Sequence, residues 1–184
     1  ILLMEDIIHY KVLAETVDDA VGEAFDKVAK LLGYPYPGGP VIEKLAQEGN
    51  PSAFPYRSGK VKANPLDFSF SGLKTAVLYS LKEIPEWTDQ VKKDVSASFQ
   101  RAAFDDIINK VKLAAKETGC TDILFGGGVT NSKTLRRLFA ERAPDLHLHW
   151  PAHGLSLDNA AMIAGLGYHR YRLENKVAGY DLEP

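Results

Sequence analysis

Cysteine is nearly absent. Cys120 stands alone, which excludes an internal disulfide and points to a reducing, cytoplasmic setting. No apolar run approaches the ~20 residues that cross a bilayer as a helix, so no membrane contact is expected. Neither sign of charge dominates: Lys and Arg number 22 and Asp and Glu 24, for a formal net charge of −2. Without a global basic field, any RNA contact must come from local patches. His9, His147, His149, His153 and His169 include no His-Glu-x-x-His, which removes the signature of a zinc peptidase. An initiator methionine is missing as well. Ile1-Leu2-Leu3-Met4 is apolar, too short for a signal peptide and reads as a strand cut in the middle. The expectation is a fragment of a longer protein.

What is present is ordinary for a globular protein: 184 residues, 45% hydrophobic and 25% charged. The stretch that organises the rest is Asp122–Arg137. Ile123, Leu124 and Phe125 read as the end of a buried strand, Gly126-Gly127-Gly128 follow, and a helix is predicted from near Thr130. Glycines between a strand and a helix let the backbone approach a ligand and leave the first helical amides facing it. A phosphate, a sugar or a nucleotide suits that geometry. Glycines also make tight turns that bind nothing, and this stretch alone does not separate the two readings.

Taken in order, Leu2–Met4 and Ile7–Leu13 read as a hairpin. Thr16 and Asp19 have capping-box form ahead of a helix with Val17, Ala20, Val21, Ala24, Phe25, Val28, Leu31 and Leu32 at helical spacing. That helix should close at Gly33. Asp26 lies on its polar face, and an ion pair with Lys30 at i+4 is its plainest role. Gly39 is the predicted N-cap of the next helix, Val41–Gln47, with Pro40 at its first position. Residues 49–66 read as an irregular excursion. Phe68–Ser71 alternates like a strand with both phenylalanines on one face, and Ser71 should cap a helix that Pro85 ends.

The longest helical pattern runs from about Thr88 to Thr118. Val91, Val95, Phe99, Ala102, Ala103, Ile107, Val111 and Ala114 form its apolar stripe. Lys92, Lys93, Arg101, Asp105, Asp106, Lys110 and Lys116 are expected on a solvated face. After the glycine turn comes a helix to about Arg142, then a strand Leu146–Trp150 with His147 and His149 on one face. Such a pair can bind metal, but it is more simply the polar side of a half-buried strand. Ser156 is the predicted N-cap of a last helix from Leu157 to about Leu173, where small residues should allow close packing. Asp158 is expected in its first turn, favoured there by the macrodipole and also placed to take a metal. The tail after Asn175 is unpatterned.

Five segments in this order and spacing resemble one family. They are Asp18–Lys27, Tyr36–Pro40, Asp67–Thr75, Gly127-Gly128-Val129 with Thr134-Leu135-Arg136, and Asp158–Ala164. The resemblance is to TsaD, the tRNA threonylcarbamoyladenosine (t6A) transferase family. It implies an α/β chain with the actin-like ATPase (ASKHA) fold of the hexokinase/Hsp70 type. Residues 1–15 would be end strands of a truncated N-terminal lobe, and 16–184 a C-terminal lobe with a helical insertion at about 34–118.

It further implies transfer of a threonylcarbamoyl group from threonylcarbamoyl-AMP to N6 of the adenosine just 3′ of the anticodon, in tRNAs reading ANN codons. One divalent metal per full-length subunit, iron or zinc, and ATP or threonylcarbamoyl-AMP as nucleotide ligand are implied too. The implied partners are tRNA, a TsaB-like paralogue, a TsaE-like ATPase and a TsaC-type synthase.

By position, Asp26 and Gly39 would contact the ribose and base region, Gly127 would line the same pocket, and Asp158 would be a metal ligand. No residue is assigned a catalytic role. At the family's nucleotide-binding asparagine the chain has Ser132, with Asn131 just before it, so that contact falls to one of the two. The family's His-x-x-x-His metal pair and Ser-Gly-Gly phosphate loop lie upstream of the position of Ile1. The expectation is therefore a C-terminal half, inactive by itself. The rival readings are a non-catalytic TsaB-like scaffold and a sugar kinase or ATPase on the same fold.

Overall fold

The computed structural model describes residues 1–152 and 154–174. Within them the chain is mixed helix and strand. Strand β1 (Leu2–Met4) pairs antiparallel with β2 (Tyr10–Val12), Leu2 opposite Val12. The second strand starts later than the Ile7–Leu13 pattern predicts. Asp6 is the reason: its Oδ1 accepts the amides of Ile8 and His9, each at 2.7 Å, and holds that segment in a turn.

Helix α1 (Val21–Leu31) also starts later than expected. Thr16 does not cap it but bridges Phe68, and its hydroxyl donates to the Asp19 carbonyl at 2.9 Å. The far end is as predicted, with Gly33 at φ +86°. Helix α2 (Gly38–Ala46) begins before Pro40, with Pro37 in the N-cap position in place of Gly39. A Cβ on Gly38 would stand 2.6 Å from the Ala29 Cβ and 2.8 Å from the Asp26 Cα. Only glycine lets α2 start so close against α1.

The excursion over 49–66 is irregular, and the strand predicted at Phe68–Ser71 reduces to the single Thr16–Phe68 bridge. The two phenyl rings do share a side, stacked at 5.7 Å. Helix α3 (Ser71–Glu83) is capped from a distance: Asp18 Oδ1 accepts the amides of Phe70 at 2.8 Å and Ser71 at 3.1 Å. Ser71 itself is already helical.

Helix α4 (Asp89–Thr118) matches its predicted bounds. The Thr88 hydroxyl accepts the Val91 amide at 3.2 Å, and Gly119 closes the helix at φ +71°. Its one-sided stripe is a misreading, because Val95 through Gln100 are all buried. On one side Phe25 of α1 meets Phe99 edge-on at 4.9 Å and stacks on Phe104 at 5.5 Å. On another the excursion lies along the helix, with the Phe54 amide donating to the Ser98 hydroxyl at 3.1 Å. The solvated face fails at Lys110, which is buried, donates to Asp106 at 2.8 Å and to the Asp67 carbonyl at 2.7 Å, and lies over the Phe68 ring. Burial pushes the Asp106 carboxyl above its ordinary range, although Lys110 opposes this.

Strand β3 (Asp122–Leu124) leads through the glycine turn into α5 (Lys133–Arg142) and back to β4 (His147–His149), which pairs parallel with β3. Phe125, Phe139 and Trp150 pack together beneath this unit, Phe125 stacked on Trp150. The two strand pairs flank an apolar cleft of about 860 Å³ lined by Leu2, Met4, Phe68, Ile123 and Phe125 among others. Helix α6 (Ala160–Glu174) starts later than predicted, and Asn159 in place of Ser156 accepts an early amide, that of Met162, at 3.0 Å. It buries no residue and leaves Met162, Ile163, Leu166 and Tyr168 exposed. The close packing expected of its small residues is not found among the described residues. The tail after Asn175 and His153 lie outside them. No described helix is long and apolar enough to cross a membrane.

Candidate nucleotide site

The glycine turn is built in two steps. Gly127 takes φ +89°, a conformation that glycine adopts without strain, and nothing stands within 4 Å of where its Cβ would be. A 3-10 turn (Gly128–Asn131) follows, closed by the Thr130 amide and hydroxyl, both donating to the Gly127 carbonyl at 3.1 and 2.7 Å. Ser132 is then the N-cap of α5, its hydroxyl accepting the Leu135 amide at 3.1 Å. The helix therefore starts after Ser132, past the Thr130 that the sequence suggests. Gly126, Gly127 and Gly128 are all exposed, so this backbone is open to a ligand.

Glu43 joins the turn to α2. Its Oε1 accepts the Ser132 hydroxyl and the Thr134 amide, each at 2.8 Å. The sequence reading missed this residue. The available signal was its place four positions after Gly39, which puts both on one face of α2. Gly39 has nothing within 4 Å of a would-be Cβ, in contrast to the crowded Gly38. The Gly38 amide donates to Asp26 Oδ1 at 2.7 Å, so the Asp26 carboxylate faces the start of α2 and the expected pair with Lys30 is not formed. On α1, a Cβ on Gly22 would be 3.4 Å from Val129 of the 3-10 turn. Asp26, the α2 start and the glycine turn thus belong to one continuous set of contacts.

The loop ahead of α6 closes on the same turn. The Ser156 hydroxyl donates to Asn131 Oδ1 at 2.6 Å, and a Cβ on Gly128 would stand 3.0 Å from Leu157. Asn131 and Ser132 both have their side chains engaged, one toward the α6 loop and the other toward α2. Asp158 is exposed, just ahead of α6 and outside its first turn. A lone carboxylate does not make a metal centre. Among the described residues no group of three or more His, Cys, Asp or Glu is arranged to hold an ion. His147 and His149 form the polar side of β4, as the simpler reading expects. His149 Nε2 lies 2.8 Å and His147 Nδ1 3.6 Å from Asp122 Oδ1. The hydrogen bond with His149 holds the Asp122 carboxyl below its ordinary range.

With that geometry in place, the profile of the TsaD family, described as tRNA N6-adenosine threonylcarbamoyltransferase, matches residues 1–165. The chain belongs to the TsaD family. Relatives bearing the same descriptive name include one from Protochlamydia amoebophila, 56% identical over 100% of this chain and 55% of the relative. One from Chlamydia abortus is 46% identical over 97% of this chain and 54% of its own length. One from Christiangramia forsetii is 46% identical over 93% and 52%. The chain spans about half the length of the curated TsaD relatives it matches. The TsaD match covers Asp26, Gly39, Glu43, Gly127, Asn131, Ser132 and Asp158.

Proposed function

We propose that this chain supplies one wall of the threonylcarbamoyl-AMP site in a protein that forms t6A. The observation that carries the reading is the Glu43 bridge, which joins the glycine turn to the helix bearing Gly39. In the reaction, the N6 amine of the adenosine just 3′ of the anticodon attacks the carbamoyl carbonyl. A C–N bond forms, the C–O bond to the adenylate phosphate breaks, AMP leaves and N6 releases a proton. The residues of this chain bind and orient. Asp26 Oδ1 is held by the Gly38 amide, which leaves its second oxygen for a ribose hydroxyl. Gly39 presents an open backbone to the base. Gly127 exposes its own to the phosphate side, and Asn131 or Ser132 completes that edge.

The proposal includes an actin-like ATPase fold for the complete protein, with residues 16–184 as its C-terminal lobe and 34–118 as a helical insertion. It includes a cytoplasmic location, tRNA as substrate, and TsaB-like, TsaE-like and TsaC-type proteins as partners. Asp158 would donate one oxygen to the iron or zinc, whose other ligands come from outside this chain; bound there, the ion would act as a Lewis acid.

The test is product formation by the complete protein with its partners, threonylcarbamoyl-AMP and tRNA. Asp158→Ala and Asp26→Ala are expected to lose most or all of the modified adenosine. Wild-type yield from Asp158→Ala would sink the metal assignment. If the complete protein bound no metal and Asp158→Ala changed nothing, the scaffold reading would take its place.

A further inference from the structure

Arg136 lies on the buried side of α5 and pairs with no carboxylate among the described residues. Its Nε donates to the Thr130 carbonyl at 2.8 Å, and its Nη2 donates to the Pro151 carbonyl at 3.2 Å. The guanidinium lies over the Trp150 ring at 5.1 Å, and Trp150 is itself stacked on Phe125 at 3.6 Å. The two carbonyls belong to different segments. Thr130 is inside the 3-10 turn that carries Gly128 and Asn131, and Pro151 opens the loop that leads to Asp158. One planar group therefore ties both segments together and is fixed in orientation by an aromatic ring beneath it. The Ser156–Asn131 hydrogen bond and the Leu157–Gly128 approach join the same two segments further along.

We propose that Arg136 is a positioning residue, holding the glycine turn and the Asp158 loop in register as one wall of the adenylate site. That the wall binds an adenylate rests on the function proposed above. The clamp itself rests on the two carbonyls and the ring. Lysine keeps the charge but lacks the rigid fork, so it cannot serve two divergent acceptors while stacked on the indole. Arg137, the next residue, is a suitable control because its side chain is exposed and, among the described residues, pairs only with Glu141.

The experiment compares wild type, Arg136→Lys and Arg137→Ala in the complete protein by native-state amide hydrogen exchange and by steady-state kinetics. In Arg136→Lys, the hydrogen-bonded amides of Thr130 and Ser132 in the turn and of Leu155 in the loop should exchange about tenfold faster together, the loss of a charge-assisted hydrogen bond. Amides of α1 and α2 should keep wild-type protection. KM for threonylcarbamoyl-AMP should rise while kcat changes less, and Arg137→Ala should match wild type in both readouts. Faster exchange at only one segment, or at neither, overturns the clamp. Faster exchange throughout the chain overturns it too, since Arg136 would then be a general stabiliser. If the paired exchange signature appears but wild type makes no modified adenosine, the proposed function fails and the clamp stands.

Discussion

Asp18 and Asp19 are neighbours that serve different helices. Asp18 accepts the Ser69 hydroxyl at 2.6 Å as well as the Phe70 and Ser71 amides, and so caps α3. Asp19 meets Lys27 at 2.7 Å and Lys74 at 3.5 Å. Burial tends to raise the Asp18 carboxyl, but its hydrogen bonds from Ser69, Ser71 and Phe70 outweigh this and hold it below the ordinary value. Lys27 does the same for Asp19. A depressed folded pKa means stability that is present above the unfolded value, near 3.9, and lost as pH falls through the lower folded one. Asp106, raised by burial, has the opposite sign and reduces the net acid slope. Asp18→Ala should cost about 1 kcal/mol near neutral pH by the loss of a helix cap, and less at acid pH, where the wild-type carboxylate is protonated. Thermal melts at several pH values check this; an equal cost at all of them would refute the capping account. None of this was legible from the Asp-Asp pair alone, because the partners of Asp18 lie far along the chain. Sequence spacing suggested a capping box for Thr16, and local chemistry could not reveal that Phe68 would claim its strand edge.

Helix boundaries were legible where the signals are local. Thr88 and Gly119 mark α4 at both ends, and Gly33 marks the end of α1, since each acts through its own backbone geometry. Sidedness was not. Ser96, Ser98 and Gln100 are buried because segments distant in sequence return to cover them. The crossing of α1 and α2 gives the clearest contrast between a packing glycine and a ligand-facing one. Gly38→Ala drives a Cβ into Ala29 and should destabilise the chain by about 1–3 kcal/mol. Gly39→Ala meets open space and should leave the melting temperature unchanged while weakening adenylate binding. Differential scanning fluorimetry with and without threonylcarbamoyl-AMP separates the two. Equal melting shifts would show that Gly39 is merely another packing position.

Across the whole molecule, the glycine turn was readable as a possible ligand loop, but its depth of connection was not. Asn131 and Ser132 looked like interchangeable candidates; in the fold they point to different walls, Asn131 to the α6 loop and Ser132 to α2. Helix α6 shows the same limit from the other side. Its small residues promised a closely packed helix, and its exposure reflects the absence of a covering element among the described residues.

The Glu43 bridge also has a consequence in time. It joins residues 89 and 91 positions apart, whereas the β1–β2 hairpin and the β3–α5–β4 unit close over much shorter stretches. Ordering a long intervening chain costs entropy before the contact returns anything, so the bridge should form after the barrier to folding has been crossed. Glu43→Ala is then expected to accelerate unfolding and leave the refolding rate nearly unchanged, a φ-value close to zero in stopped-flow chevrons. A value near one would mean that the bridge belongs to the nucleus. As a contact made late and released early, it would let the glycine turn detach from α2 while the rest of the core remains folded.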